Sequence, residues 1–324
     1  MQLTRVIGVT CFGLLLLPAV LLAQDDQERA AQEIKRAGGK LYEILGTNPK
    51  VYSRLICDEK TDIFPVLARL KHLPDVHNVT FQNVGTDEHL KELKVLPRLH
   101  RLDLGGSKVT DQGMKTVATH QGIVDLLLID TKIGDKGLGE LTKLQNLRRL
   151  YMSNTLVTDA GAKHLGRMKS LEDLAVGPAI TDEGVKEIAK LKGLTSLILP
   201  NVPITGNGLK ELSSLKSLVQ LNIKNDSITD DDLKYLRDFS DLWSISLSCR
   251  RVTDKGLTHL AGLKTVRGLL LKGTQVTDEG ILQLTRMPEL NQLDIRETKC
   301  TEKGRKAFRL LRPGVVLEGY QGER

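Results

Sequence analysis

Residues 276–295 read V-T-D-E-G-I-L-Q-L-T-R-M-P-E-L-N-Q-L-D-I. Thr277 and Asp278 suit the start of a short helix. A threonine hydroxyl accepts a bond from a free backbone N–H two or three residues on, and a carboxylate is favoured at the positive end of a helix. Ile281, Leu284 and Met287 then recur at spacing three, which is one helical face. Leu290, Leu293 and Ile295 follow as L-x-x-L-x-I, where the last two alternate inward along a strand of period two. One helix, one turn and one strand are therefore encoded in a single phrase, and the phrase then restarts.

The helix-opening position recurs at Thr61, Thr86, Thr110, Gly134, Thr158, Thr181, Thr205, Thr229, Thr253, Thr277 and Thr301, at intervals of 23 to 25 residues. The next residue is Asp at nine of these eleven starts, the exceptions being Gly206 and Glu302. Gly134 lacks a hydroxyl, so a weaker helix start is expected there. The apolar triplets repeat with the period, as in Leu138, Leu141, Leu144 and in Leu209, Leu212, Leu215. The strand sets do likewise, from Leu99-Leu102-Leu104 to Val266-Leu269-Leu271. Helices of roughly ten residues do not stand alone in water. They form here because each buried leucine contributes up to about 1.5–3 kcal/mol against the next layer. The period predicts an α/β solenoid of about ten 24-residue repeats, in which stacking replaces a globular core. An aromatic content of 3% fits a core of stacked leucines.

The L-x-x-L-x-L strand with the I/V-T-D-x-G-L helix resembles the repeat of leucine-rich repeat proteins, in the variant of the cysteine-containing subclass. It is also similar to secreted repeat proteins of planctomycete-type bacteria. The resemblance covers about residues 51–324, and the leader with the A-x-x-I-x-x-x-G-G-K opening is similar too. It implies a horseshoe with parallel strands on the concave face and short helices on the convex face. It implies binding and not catalysis. The position that is often Asn or Cys in that family reads here as Ser107, Thr131, Thr155, Val202, Asp226, Arg250, Thr274 and Thr298. Val202 and Arg250 would interrupt a side-chain ladder.

The chain divides into a signal peptide (1–23), an N-terminal cap (24–57), repeats (58–300) and a C-terminal cap (301–324). Arg5, the apolar run Val6–Leu22 and Ala23 make the leader, which predicts a secreted or periplasmic protein. No later segment approaches the roughly 20 apolar residues of a membrane helix. The N-terminal cap is expected as a helix over Asp25–Ala37, ended by Gly38-Gly39, with strands at Lys40–Leu45 and Val51–Cys57. A last strand is expected at Val315–Leu317. Cys57, Cys249 and Cys300 are too far apart along an array for a disulfide framework.

Lys and Arg exceed Asp and Glu by 47 to 40, a net charge of +7, but the basic residues are scattered. A solvated surface is expected, with no nucleic-acid partner. The densest basic cluster, Lys299, Lys303, Arg305, Lys306, Arg309 and Arg312, suggests an anionic cell-surface polymer. His77, His100 and Asp103 are the one group where a metal or a reaction could be sought, and ordinary surface histidines are the better reading. G-x-S-x-G, H-E-x-x-H, P-loop and C-x-x-C motifs are absent. No cofactor is called for.

The x positions of L-x-x-L-x-L face the concave side. One column alternates in sign through Arg101, Asp125, Arg149 and Asp173, as a solvated charge ladder would. Adjacent columns hold apolar residues at Leu127, Tyr151, Ile198, Val219, Trp243 and Leu270. Tryptophan, tyrosine and arginine are the residues most often found at interface hot spots. Arg149, Tyr151, Asp173, Val219, Trp243, Arg267 and Leu270 are therefore the candidate ligand-binding residues. The expected function is a secreted, non-catalytic scaffold for an unidentified protein. The alternative is a binder of cell-wall or extracellular polysaccharide.

Overall fold

The computed structural model describes residues 13–45, 47 and 50–319, and of residues 13–23 the backbone alone. The first half of the expected leader, residues 1–12, lies outside the described residues. One sheet of 13 strands runs through the molecule in sequence order. The strands are β1 Lys40–Glu43, β2 Tyr52–Ile56, β3 Asn78–Thr80, β4 Arg101–Asp103, β5 Asp125–Leu127, β6 Arg149–Tyr151, β7 Asp173–Ala175, β8 Ser196–Pro200, β9 Gln220–Lys224, β10 Ser244–Leu247, β11 Gly268–Leu270, β12 Gln292–Asp294 and β13 Val316–Glu318. β1 and β2 are antiparallel, and every later pair is parallel. A short helix separates each strand from the next from β2 onward.

The repeat leucines fill the space between sheet and helices. A single buried cluster extends from Ala31 to Val315 and includes Leu102, Leu104, Leu138, Leu141, Leu197 and Leu269. Strands pack about 4.8 Å apart, whereas helices need about 8–10 Å. An array of both must bend with its strands inside, so the sheet is the concave side of an open leucine-rich repeat solenoid.

At the N-terminus one helix runs from Gly13 to Arg36, beginning before the expected Asp25. Ala30, Ala31 and Ile34 bury against the first repeat. Gly38, at φ +89°, makes the turn into β1 that a side chain would strain. Thr61 does not cap the first repeat helix. Its hydroxyl accepts from the Asp58 N–H at 3.0 Å and donates to the Gly38 carbonyl, so the helix begins one residue later, with Asp62 in the cap position.

From Thr86 onward every expected start is an N-cap in extended conformation. The aspartate that follows does more than favour the helix dipole. Asp254 reaches forward to the next repeat, where its carboxylate accepts from the Thr277 N–H at 2.8 Å and from the Thr277 hydroxyl at 2.5 Å. The same tie joins Asp87 to Thr110, Asp135 to Thr158, Asp159 to Thr181, Asp182 to Thr205, Asp230 to Thr253 and Asp278 to Thr301. Gly134 receives it through its N–H alone, from Asp111 at 2.7 Å. Its helix still spans seven residues, so the missing hydroxyl does not shorten it.

The glycine of the T-D-x-G motif follows from this tie. A Cβ at Gly113, Gly137, Gly161, Gly184, Gly208, Gly280 or Gly304 would collide with the aspartate Oδ1 of the preceding repeat. Gly206 interrupts the series, having no carboxylate to offer Thr229. There Asp232, which stands where the other repeats have glycine, turns back on its own helix. It accepts from the Thr229 N–H and hydroxyl, both at 2.8 Å. A Cβ at Gly206 would collide with that same Asp232 carboxylate. The helix that follows, Asp230–Asp238, is a 3-10 helix and not the expected α-helix.

The inward polar position also differs from its sequence alignment. Thr131, Thr155 and Thr274 donate to the carbonyls of Leu128, Met152 and Leu271 at 2.6, 2.9 and 2.8 Å. The preceding residue takes the left-handed conformation in these repeats, at Asp130, Asn154 and Gly273. Asn225 and Cys249 stand at that turn position but do not adopt it. They point inward and are buried, in place of Asp226 and Arg250. Asn225 donates to the Ile204 carbonyl at 2.7 Å, and Cys249 lies 3.8 Å from the Ile223 carbonyl. Cys57, Cys249 and Cys300 are free thiols. Burial pushes the first two up to about 12, so neither is a reactive thiolate at neutral pH.

Candidate functional site

Three columns of side chains cross the strand face. The parallel register fixes the central one as Arg54, Asn78, Arg101, Asp125, Arg149, Asp173, Ser196, Gln220, Ser244, Gly268, Gln292 and Val316. The trailing column, two residues on, runs through Asp103, Leu127, Tyr151, Ala175, Ile198, Asn222, Ser246, Leu270 and Asp294. The leading column precedes the strands and includes His77, His100, Arg148, Val219, Trp243 and Arg267.

The expected solvated charge ladder is not what the central column holds. Asp125 is only 2% exposed, and its Oδ2 takes both neighbouring arginines, Arg101 through Nη1 and Arg149 through Nε at 3.2 Å. Its Oδ1 is buried without a protein partner. Two part-exposed guanidinium groups thus share one sunken carboxylate, which leaves most of their donors facing the groove. Asp173 stands apart from this clamp and accepts from the Thr195 hydroxyl at 3.3 Å.

Beside the clamp lies an apolar strip. Leu127, Tyr151, Ala175 and Ile198 are consecutive register partners on β5 to β8. Ala175 is buried and the other three are half-buried. Burial, with Asp173 and Asp125 nearby, raises the Tyr151 phenol above its ordinary value, so it is a neutral donor at physiological pH.

The seven candidate residues therefore fall into separate groups. Arg149, Tyr151 and Asp173 come together on β6 and β7. Val219, Trp243 and Arg267 line the leading rim of β9 to β11, joined by Trp243 N–H to Val219 O at 2.9 Å and Arg267 N–H to Trp243 O at 2.8 Å. Four strand spacings, about 19 Å, separate Tyr151 from Trp243. Leu270 joins neither group, since its register partners are the polar Ser246 and Asp294. Ala175 completes the apolar strip between Tyr151 and Ile198, a place that its small side chain marks only weakly in the sequence.

The His77 and His100 rings meet edge to face with centroids 6.0 Å apart. Each Nδ1 sits within hydrogen-bond distance of its own loop, at Asp75 O (2.9 Å) and Arg98 O (2.6 Å). Asp103 turns away to accept from the Gly105 N–H at 3.0 Å. No group of three or more His, Cys, Asp or Glu placed to hold a metal occurs among the described residues.

The C-terminal basic cluster is depleted by the fold. Arg305 is buried and bonded to Glu302 and the Cys300 carbonyl. Arg312 donates to the carbonyls of Thr285, Met287 and Leu290 at 2.6–2.9 Å. Lys299, Lys303, Lys306 and Arg309 remain on the surface.

The model of the leucine-rich repeat matches residues 96–118, the span from Leu96 through the helix that Thr110 caps. That unit recurs along the chain with the same strand, turn and N-cap. The chain is a solenoid of leucine-rich repeats. Solved structures of similar architecture include an internalin (inlF) from Listeria monocytogenes, 18% identical with a TM-score of 0.45, covering 84% of this chain and 87% of that one. Another is an internalin C2 (inlC2) from the same organism, 18% identical with a TM-score of 0.42, covering 81% and 87%. No curated protein matches. No helix among the described residues is long and apolar enough to cross a membrane.

Proposed function

We propose that the protein is a secreted, non-catalytic scaffold that binds another protein on its strand face. The supporting observation is the N-terminal half of that face. There a double-arginine clamp on Asp125 lies directly beside the strip Leu127, Tyr151, Ala175 and Ile198. An apolar centre with arginine donors at its edge is the composition of an interface core with hot-spot residues. A row of apolar side chains part-exposed on an otherwise polar strand face suits the apolar surface of a partner.

The test is capture from the host envelope fraction with the full chain and with Tyr151→Glu and Arg149→Glu in parallel. A protein held by the unaltered chain and released by both variants is the expected result. Equal capture by all three would remove the strand face from the interaction.

A further inference from the structure

The C-terminal half of the strand face is chemically unlike the half that carries the clamp. Its central column is Ser196, Gln220, Ser244, Gly268 and Gln292, with no charged side chain. Asn222 and Ser246 flank it in the trailing column. Arg267 on the rim is 3.6 Å from Glu289, and Asp294 is buried and paired with Arg296 at 2.6 Å, while Lys224 stands exposed at the last position of β9, on the opposite side of the column from the Trp243 rim. The Asp294 carboxyl feels burial raising it, but the side-chain and backbone bonds of Arg296 hold it below the usual carboxylate range. It stays ionised and paired.

Gln220 and Asn222 are exposed, Ser244 and Ser246 half-buried, and the side chains of all four have no hydrogen-bond partner among the described residues. At their rim stands Trp243, 44% exposed and the only tryptophan in the sequence. Gly268 lowers the floor between Ser244 and Gln292, the nearest atoms to a Cβ there being Ser244 Oγ at 3.4 Å and Gln292 Oε1 at 3.9 Å.

We infer that this surface is a second binding site, and that its ligand is a neutral, hydroxyl-rich polysaccharide lying across β8 to β12. The reasoning is by matching of groups. A charged ligand lying along the central column would meet only uncharged side chains, Lys224 being the one counter-charge at the far edge of β9. An apolar one strands amides and hydroxyls, at roughly 1–3 kcal/mol for each group left unsatisfied. Sugar hydroxyls donate and accept, as do the amides of Gln220 and Asn222 and the hydroxyls of Ser244 and Ser246. The exposed indole offers a flat apolar face with a polar N–H, which suits the C–H face of a pyranose. A ligand of repeating units also fits a surface of repeating strands, whose step of about 4.8 Å is close to that of an extended sugar chain. None of these residues belongs to the clamp or the apolar strip, so this site stands or falls independently of the protein-binding reading.

Trp243 makes the test direct, since all tryptophan emission comes from one position. The full chain is titrated with cellohexaose and with chitohexaose, with a polygalacturonate oligomer as the anionic control. The same variants are run in native gels containing hydroxyethylcellulose or glycol chitin. Expected is a saturable change in emission with one or both neutral hexasaccharides. Retardation in the matching gel should weaken about tenfold or more in Trp243→Ala, the scale of a hot-spot aromatic. Gln220→Ala should weaken both signals, and Tyr151→Glu should leave both unchanged. The inference is overturned by any of three results: no response to either neutral probe in solution or gel, a response to polygalacturonate alone, or undiminished retardation of Trp243→Ala.

Discussion

His89 occupies the helix position where later repeats carry glycine, and it can do so because no aspartate from the preceding repeat fills the space. Asp62 is exposed and makes no such tie. The imidazole is buried with ring centroids 4.9 Å from Phe64 and 6.3 Å from Phe81, and its Nδ1 has no partner. Burial holds its pKa below the ordinary histidine value. The neutral form is therefore favoured in the folded chain. Its contribution to stability is complete above the unfolded value of about 6.5 and is lost as pH falls toward the folded value. In His89→Leu the urea midpoint should fall less between pH 7 and pH 5 than in the unaltered chain. An identical pH profile for the two proteins would show that His89 carries no linkage. Asp125 teaches the complementary lesson. Its place in the column is plain from the spacing, but its burial under two arginines depends on how Arg101 and Arg149 fold over it.

At the scale of the element, the T-D-x-G motif is a joint between repeats and not only a helix start. The aspartate of one repeat holds the threonine of the next, and glycine leaves room for it. The pair Gly206 and Asp232 exchanges these roles, which converts an inter-repeat tie into a capping box within one helix. Asp232→Gly alone should cost about 1 kcal/mol, the usual loss of a cap. Gly206→Asp alone should be destabilising through collision with the Asp232 carboxylate. The double variant rebuilds the tie found elsewhere, so it should be more stable than either single change, with slower amide exchange over residues 230–238. A double variant no better than the sum of the two single changes would refute the exchange. The individual letters were all visible in the sequence, as the exceptions at Gly206 and Asp232. Their relation was not, because the two residues meet only when successive repeats are stacked.

At the scale of the molecule, each repeat touches only its neighbours, so stability should be nearly a sum of local terms. Leu197, fully buried on β8, tests this. Leu197→Ala should cost about 2–5 kcal/mol. Loss of exchange protection should be greatest in the repeats of β7 to β9 and small near β3 and β12. Uniform loss along the whole sheet would instead mean one cooperative unit.

The sequence alone determined the solenoid, its period, its strand and helix faces and the membership of each column. Those follow from alternation and spacing, which are local and repeat through the chain. The tertiary structure decided what a one-dimensional reading has no access to. It turned Asn225 and Cys249 inward in place of Asp226 and Arg250, because these two residues do not take the left-handed conformation that Asp130 and Asn154 adopt at the same turn position. It drew Arg305 and Arg312 out of the basic surface to satisfy carbonyls at the last turn. It also separated one candidate patch into a charged and apolar half around Tyr151 and a neutral polar half around Trp243. Residues in one column lie a strand apart, so distance across the face grows with every repeat between them.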